Sequence, residues 1–429
     1  MNMMVGDTGA FWHRSSIAEL VLQRPALALQ KHFFAGTHRR SCPEVALTAL
    51  TPDLATFGIT RVARLTGLDR LGVEVFTAFR PNSRGLTTAQ GKGATRSAAR
   101  LSAVMEAIEC HVAEEPGPAP VHGTLDDMVG RFGARRIEPP ASRAGQARRI
   151  DWTWATDLLS GGDVLVPYDH VHTSLLLGGR ATRLWRDVTT NGLASGANLV
   201  EALIHGICEV IERADTAAFA ETFRPQDALD PGRFDWPEIA ALAAQADARG
   251  FAIRAWETTG PLGVPSFVAC LADLTDATMP PGYGAGCHLS PRVALARALH
   301  EAAQSRLTRI SGARDDLSDD CYDARERLRA RHFTSASTAC APGSTALRDL
   351  SGPCLVGDLG VLLDRLAAAG VGRVLAVDLA DDPRFRVVKL VVPGLEATLR
   401  RAQAATKPTT RERPDHGMPA WQGMGGIAR

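Results

Sequence analysis

Residues 201–213 read EALIHGICEVIER, a stretch of helical period in which Glu201, Glu209 and Glu212 are set among Ala202, Leu203, Ile204, Ile207, Val210 and Ile211. At about 100° per residue, Glu201 and Glu212 fall within roughly 20° of each other on the helical wheel, and Glu209 lies about 80° from Glu201. Apolar residues fill the rest of the circumference, and a helix apolar on most sides is a buried one. Arg213 is the one evident local counter-charge. An unpaired buried carboxylate is costly, so these glutamates need cations or hydrogen-bond donors brought from elsewhere in the chain.

Two more stretches have the same texture. SAVMEAIECHVAEE, Ser102 to Glu115, spaces Ser102, Glu106 and Glu109 at i, i+4 and i+7 beside Val104, Met105, Ala107, Ile108 and Val112. ALARALHEAAQSR, Ala294 to Arg306, spaces Arg297, Glu301 and Gln304 in the same way. All three belong to longer segments, Gly91 to Glu115, Gly192 to Arg213 and Gly284 to Arg309, that read as a glycine-containing loop followed by an alanine-rich helix. Taken singly, such helices read as solvated faces with i,i+4 ion pairs. Lysine partners are scarce, however: only Lys31, Lys92, Lys389 and Lys407 occur among 48 basic residues. Carboxylates gathered from several helices suit a hard divalent cation, and Mg²⁺ shares its shell between carboxylates and phosphate oxygens.

Gly91-Lys92-Gly93 is not a Walker A loop, because the spacing from Gly85 is wrong and no Ser or Thr follows Lys92. A helix still begins soon after it, so backbone N–H groups and Lys92 are placed to meet an anion, with a plain turn as the alternative. The histidines show no H-E-x-x-H or comparable zinc spacing; His170 and His172 alternate as on a strand, and His288 and His300 fall in or near the third segment.

The remaining chain fits a mixed α/β protein. Val164–Pro167, Phe267–Leu271 and Val374–Val377 read as short buried strands, and Asp235–Arg249 and Val361–Ala369 as helices. Residues 115–150, rich in Pro, Gly and Arg, read as a surface excursion with one short helix. The tail from Lys407 lacks hydrophobic period and reads as loosely ordered. A net charge of +1 gives no reason to expect nucleic acid or an anionic membrane as partner. Eight scattered cysteines without a C-x-x-C pair argue against a disulfide scaffold or zinc ribbon and fit a reducing cytoplasm. No apolar run approaches the roughly 18 residues of a membrane span.

Several of these stretches together resemble the YcaO family. Residues 58–109, 189–215 and 284–316 carry the resemblance, with KLVVPGLE at Lys389–Glu396 and GTHR at Gly36–Arg39 followed by Pro43-Glu44. The order is right from about Gly36 to Glu396. The resemblance implies mixed sheets flanked by helices in a non-P-loop ATP-binding fold over 36–400, with an N-terminal extension at 1–35 and a flexible tail at 401–429. It implies ATP and Mg²⁺ as cofactors, with Glu106, Glu109, Glu201, Glu209 and Glu212 serving the metal. Ser102, Arg213, Arg297, Glu301 and Arg39 would contact nucleotide, and Lys92 would serve the phosphoryl or peptide carbonyl region. The implied activity is ATP-dependent O-phosphorylation of backbone amides in a ribosomally synthesised peptide, installing a thioamide or an azoline. An impaired peptide-binding scaffold and a standalone enzyme assisting ribosomal-protein modification are the alternatives.

"RPNS" at 80–83 and "SAVMEAIE" are similar to members that work beside a TfuA partner, so a precursor peptide, a TfuA-like or leader-binding protein and a second copy of the chain are the expected partners. The terminus lacks the PxPxP pattern of azoline-forming relatives. The chain departs from the family pattern at Ala46, at Ala197-Asn198 and at Asp215, where the acid follows ERA instead of ER. If Asn198 has taken over the role of the residue at 197, the loop Gly196–Leu199 must be re-registered.

Overall fold

The computed structural model describes residues 29–34, 36–116, 121–140, 143–175, 188–276, 278–314, 316–317, 322–335 and 347–395. The expected tail at 401–429 and most of the expected N-terminal extension lie outside these residues. The strands are β1 (His32–Phe34), β2 (Thr37–Arg39), β3 (Arg61–Arg64), β4 (Glu74–Phe79), β5 (Thr88–Gly93), β6 (Val121–Gly123), β7 (Ile150–Asp157), β8 (Asp163–Pro167), β9 (Leu193–Gly196), β10 (Phe251–Glu257), β11 (Ser266–Asp273), β12 (Gly282–Cys287), β13 (Leu375–Asp382) and β14 (Phe385–Val391). The principal helices are α1 (Pro43–Leu50), α2 (Arg96–Glu114), α3 (Leu125–Phe132), α4 (Leu199–Thr222), α5 (Pro237–Ala248), α6 (Pro291–Ser311), α7 (Ala324–Ser335) and α8 (Leu355–Ala368). β3-β4-β5 and β10-β11-β12 form two three-stranded sheets. A third sheet runs β6-β7-β13-β14-β9, with β8 on β7, and every pairing is antiparallel. The architecture is therefore the expected α/β one, with helices flanking several sheets.

Each glutamate helix folds back onto the strand that precedes it: α2 on β5, α4 on β9 and α6 on β12. The glycines read as loop residues stand on or beside these strands, and their purpose is close approach. A Cβ at Gly91 would lie 2.0 Å from Ala103 N, at Gly196 2.4 Å from Ala202 N, and at Gly282, Gly284 and Gly286 2.0, 2.0 and 2.1 Å from the carbonyl oxygens of Ala302, Ala298 and Ala294. Two strand residues advance about 6.7 Å and four helical residues about 6 Å, so glycine at every second strand position meets alanine at every fourth helix position. This match accounts for Ala294, Ala298 and Ala302 of α6 and for Ala99 and Ala103 of α2.

The opposite face of each strand meets the helix of a different unit, because strand side chains alternate. Lys92 on β5 reaches Glu301 of α6, Ser195 on β9 hydrogen-bonds Glu109 of α2, and Cys287 on β12 hydrogen-bonds Cys208 of α4. The three units thus close into a ring, each strand sandwiched between its own helix and a neighbour's. Apolar cores lie behind each helix, the largest around Leu203, Ile207, Ile211, Leu359 and Leu390.

Local differences from the sequence reading have simple causes. α5 begins at Pro237 after Trp236, not at Asp235, since proline fixes the first turn. α8 starts at Leu355, earlier than the pattern from Val361 suggested, because its first turns are buried against α4. His170 ends a short 3₁₀ turn and His172 follows it, so neither stands on a strand. RPNS is a clamp: Arg80 forks onto Glu114 at 3.0 and 2.8 Å, and Ser83 Oγ donates to the same carboxylate at 2.6 Å. Among the described residues no helix is long and apolar enough to cross a membrane.

Candidate active site

The helix starts that aim the glutamates are set by capping. Thr95 accepts from the N–H of Ala98 and Asn198 from that of Glu201, while α6 begins with Pro291 in its first turn. From these starts α2, α4 and α6 bring Glu106, Glu109, Glu209, Glu212 and Glu301 into one electrostatic cluster with Lys92 of β5. Burial pushes the Glu109 carboxyl up to about 8, with repulsion from Glu106 and Glu209 adding and hydrogen bonds from Ser195 opposing. Glu212 is pushed up to about 8 by burial and by Glu301 and Glu209, against Lys92 and Arg213. Glu106 is raised to about 7, again by burial first, with Lys92, Arg314 and the N–H of Gln90 opposing. Glu106 is nonetheless exposed to solvent, with protein packed around it. Three carboxyls raised together mark a surplus of negative charge that a cation would relieve.

The cations stand around this cluster. Lys92 Nζ lies 2.6 Å from Glu301 Oε2, and Arg213 holds Glu209 Oε1 at 3.0 Å. Arg297, one turn before Glu301, is held below its ordinary range by burial and by Arg39, while Glu212 and the Cys208 and Cys287 thiols act the other way. Ser102 stands half-buried one turn before Glu106. Glu201 sits to one side: Arg39 Nη1 lies 3.4 Å from its Oε1 and the Arg40 N–H donates to its Oε2 at 3.1 Å. Holding a metal would require Glu201 to give up Arg39.

Sequence reasoning missed Ser195, Arg314 and the N–H groups of Gln90 and Arg40, which have no signal of spacing because their partners lie far along the chain. The departures also have places. Asn198 is the N-cap of α4, its Oδ1 3.0 Å from Glu201 N. Asp215 is buried away from the cluster, where it accepts from Ser266 Oγ at 2.8 Å. Ala46 is half-buried on α1.

The donor set suits Mg²⁺ with a polyphosphate. Among the described residues no three His, Cys, Asp or Glu side chains form a ready-made metal cluster. Mg²⁺ asks for one or two carboxylates and takes its remaining ligands from water and phosphate. Among the described residues, the buried polar atoms without a partner include Gln90 Nε2 on β5, Asn198 Nδ2 at the start of α4 and Gln304 Oε1 on α6. A polar ligand among the three units would satisfy them.

Residues 90–396 match the YcaO cyclodehydratase family, described as ATP- and Mg²⁺-binding. This chain belongs to the YcaO family. A Rhizobium leguminosarum bv. trifolii protein from the tfuA 3′ region is 33% identical over 386 residues, covering 84% of this YcaO and 89% of the relative. The YcaO of Methanopyrus kandleri, solved with AMPPCP and Mg²⁺, has a TM-score of 0.67 at 24% identity, covering 90% of this chain and 99% of that one. A heterocyclase solved with substrate and cofactor has a TM-score of 0.70 at 22% identity, covering 86% of this chain. This YcaO spans 54% of that heterocyclase's length. At such identities the structural likeness establishes the fold. ATP and Mg²⁺ are this YcaO's cofactors, as the family's description states.

Proposed function

We propose that this YcaO phosphorylates the oxygen of a backbone amide in a ribosomally made peptide, so that a sulfur nucleophile can replace that oxygen. The observation that carries the reading is the convergence of five glutamates with Lys92, Arg213 and Arg297 from three strand–helix units. When bound, Mg-ATP supplies the phosphoryl group that makes the amide oxygen a good leaving group. Glu106, Glu109, Glu209 and Glu212 hold the metal, with Glu201 joining them if Arg39 releases it. Ser102, Arg39, Arg213, Arg297 and Glu301 hold the nucleotide, and Lys92 neutralises charge developing on the transferred group. No protein nucleophile is needed, since the chain aligns reactants and balances charge. A thioamide is the favoured product. The relative from the tfuA 3′ region supports it, and a TfuA-like protein is the partner this reading assigns.

The experiment labels the amide oxygen of the modified peptide with heavy oxygen and weighs the released phosphate. Label in the phosphate is the expected result. Product formed with unlabelled phosphate would show that ATP drives some other step.

A further inference from the structure

α4 carries another polar side chain on its glutamate face. His205 stands one turn after Glu201 and one turn before Glu209, so the three share one side of the helix. Its Nδ1 lies 3.3 Å from the carbonyl oxygen of Ser195. A carbonyl only accepts, so Nδ1 carries the proton and Nε2 the lone pair. Nε2 has no hydrogen-bond partner among the described residues, and it is not among the polar atoms sealed from solvent. The lone pair therefore opens towards water. Burial, then Arg297, Arg39 and Lys92 keep the ring neutral, while the Ser195 carbonyl favours its protonation. Those three cations are ones that a bound triphosphate would engage.

The reaction proposed above releases a proton and needs a group to receive it. An S–H group attacking the amide carbon forms the C–S bond, moves the C=O π pair onto oxygen and sheds its hydrogen. The neighbouring carboxylates are assigned to metal or nucleotide, and Lys92, Arg39, Arg213 and Arg297 to balancing phosphate charge. We propose that His205 Nε2 is the general base that takes this proton from an attacking thiol or hydrogen sulfide, an inference that rests on the amide-activation reading. Once that oxygen has taken the γ-phosphoryl group of ATP, forming the O–P bond as ADP leaves, the intermediate collapses and the C–O electron pair leaves with phosphate. The phosphate takes up a second proton, from the amide N–H in an azoline or from the remaining S–H in a thioamide, and His205 returns the first to water. Sequence reading passes over His205 because a lone histidine in an apolar helix has no spacing signature; Ser195, which fixes its tautomer, is on another element.

The test restores a strain lacking the gene with the full-length chain, wild type or His205→Asn. Mass spectrometry follows the peptide that wild type changes by oxygen-to-sulfur exchange or by loss of water. The purified proteins are then compared on that peptide, and their Mg-ATP affinity is measured by calorimetry. His205→Asn keeps a donor for Ser195 and removes the base, so the rate should fall about 100-fold with affinity within about threefold. Free imidazole should restore part of the rate to His205→Ala. A rate within threefold of wild type for His205→Asn would overturn the base and leave the amide-activation reading intact. Lost Mg-ATP affinity would make His205 a nucleotide contact instead and also overturn it. No modified peptide even with wild type would overturn the amide-activation reading, and the base with it.

Discussion

Lys92 Nζ and Glu301 Oε2 lie 2.6 Å apart and join β5 to α6 across 209 residues of chain. Gly91 and Gly93 turn their missing side chains towards α2, so strand alternation sends Lys92 to the opposite face, where α6 stands. Lys92 thus neutralises one acid of the cluster and opposes the upward shifts of Glu106 and Glu212. Lys92→Met should lower turnover more than tenfold, or over about 1.4 kcal/mol of transition-state stabilisation. A change under twofold would confine the lysine to its pairing with Glu301.

Glu109→Gln and Glu212→Gln should each weaken Mg-ATP binding by about tenfold or more, read by calorimetry. Neither should unfold the chain, because each replacement removes a charge that burial disfavours. Unchanged affinity in both variants would move the nucleotide out of this cluster.

The raised carboxyls give the ligand-free protein an inverse pH dependence. Between the ordinary value of 4.5 and the raised values of about 7 and 8, the folded chain keeps protons on Glu106, Glu109 and Glu212 that the unfolded chain has released. Their contribution is therefore fully present below about pH 4.5 and is lost as pH rises through 8. The thermal midpoint of the ligand-free protein should fall across this window, and less steeply in the Glu109→Gln/Glu212→Gln double variant. Mg-ATP should also release protons on binding near pH 7, visible as a buffer-dependent calorimetric heat. Identical heats in two buffers of different ionisation enthalpy would contradict the shifts.

Asn198 has two separable tasks. Its Oδ1 caps α4, and its Nδ2 is a buried donor without a partner among the described residues. Asn198→Ala should cost about 1 kcal/mol of stability through the lost cap. Asn198→Asp keeps the capping oxygen and removes the donor, so it should keep the thermal midpoint while losing activity if Nδ2 meets the ligand. Ala197→Asn should not raise turnover. A gain from Ala197→Asn, with full activity in Asn198→Asp, would show that position 197 holds a degraded site.

Gly284→Ala tests the strand–helix interlock. A Cβ there would stand 2.0 Å from the Ala298 carbonyl oxygen and 2.4 Å from Ala302 N, both backbone atoms that cannot swing aside. Destabilisation should reach about 3 kcal/mol, seen in denaturant unfolding. Gly360→Ala, at a helix position with open space, is the control that should change little.

The sequence by itself determined the three helices, the faces on which their acids lie and the shortage of lysine partners. Helical period is local, and Glu106 with Glu109, or Glu209 with Arg213, are neighbours on one helix whatever the rest of the chain does. The family motifs added an order of elements and a set of cofactors. The tertiary structure alone decided what the glycines and the strands are for. Gly91, Gly196 and Gly284 read as loop residues until a helix lies across them, because the clash that excludes a side chain comes from backbone several residues away. It also decided that Ser195 meets Glu109, that Arg39 covers Glu201 and that Lys92 belongs to Glu301. Those contacts depend on which helix lies against the second face of each strand. That choice is set by closure of the whole ring of three units, and no local period records it.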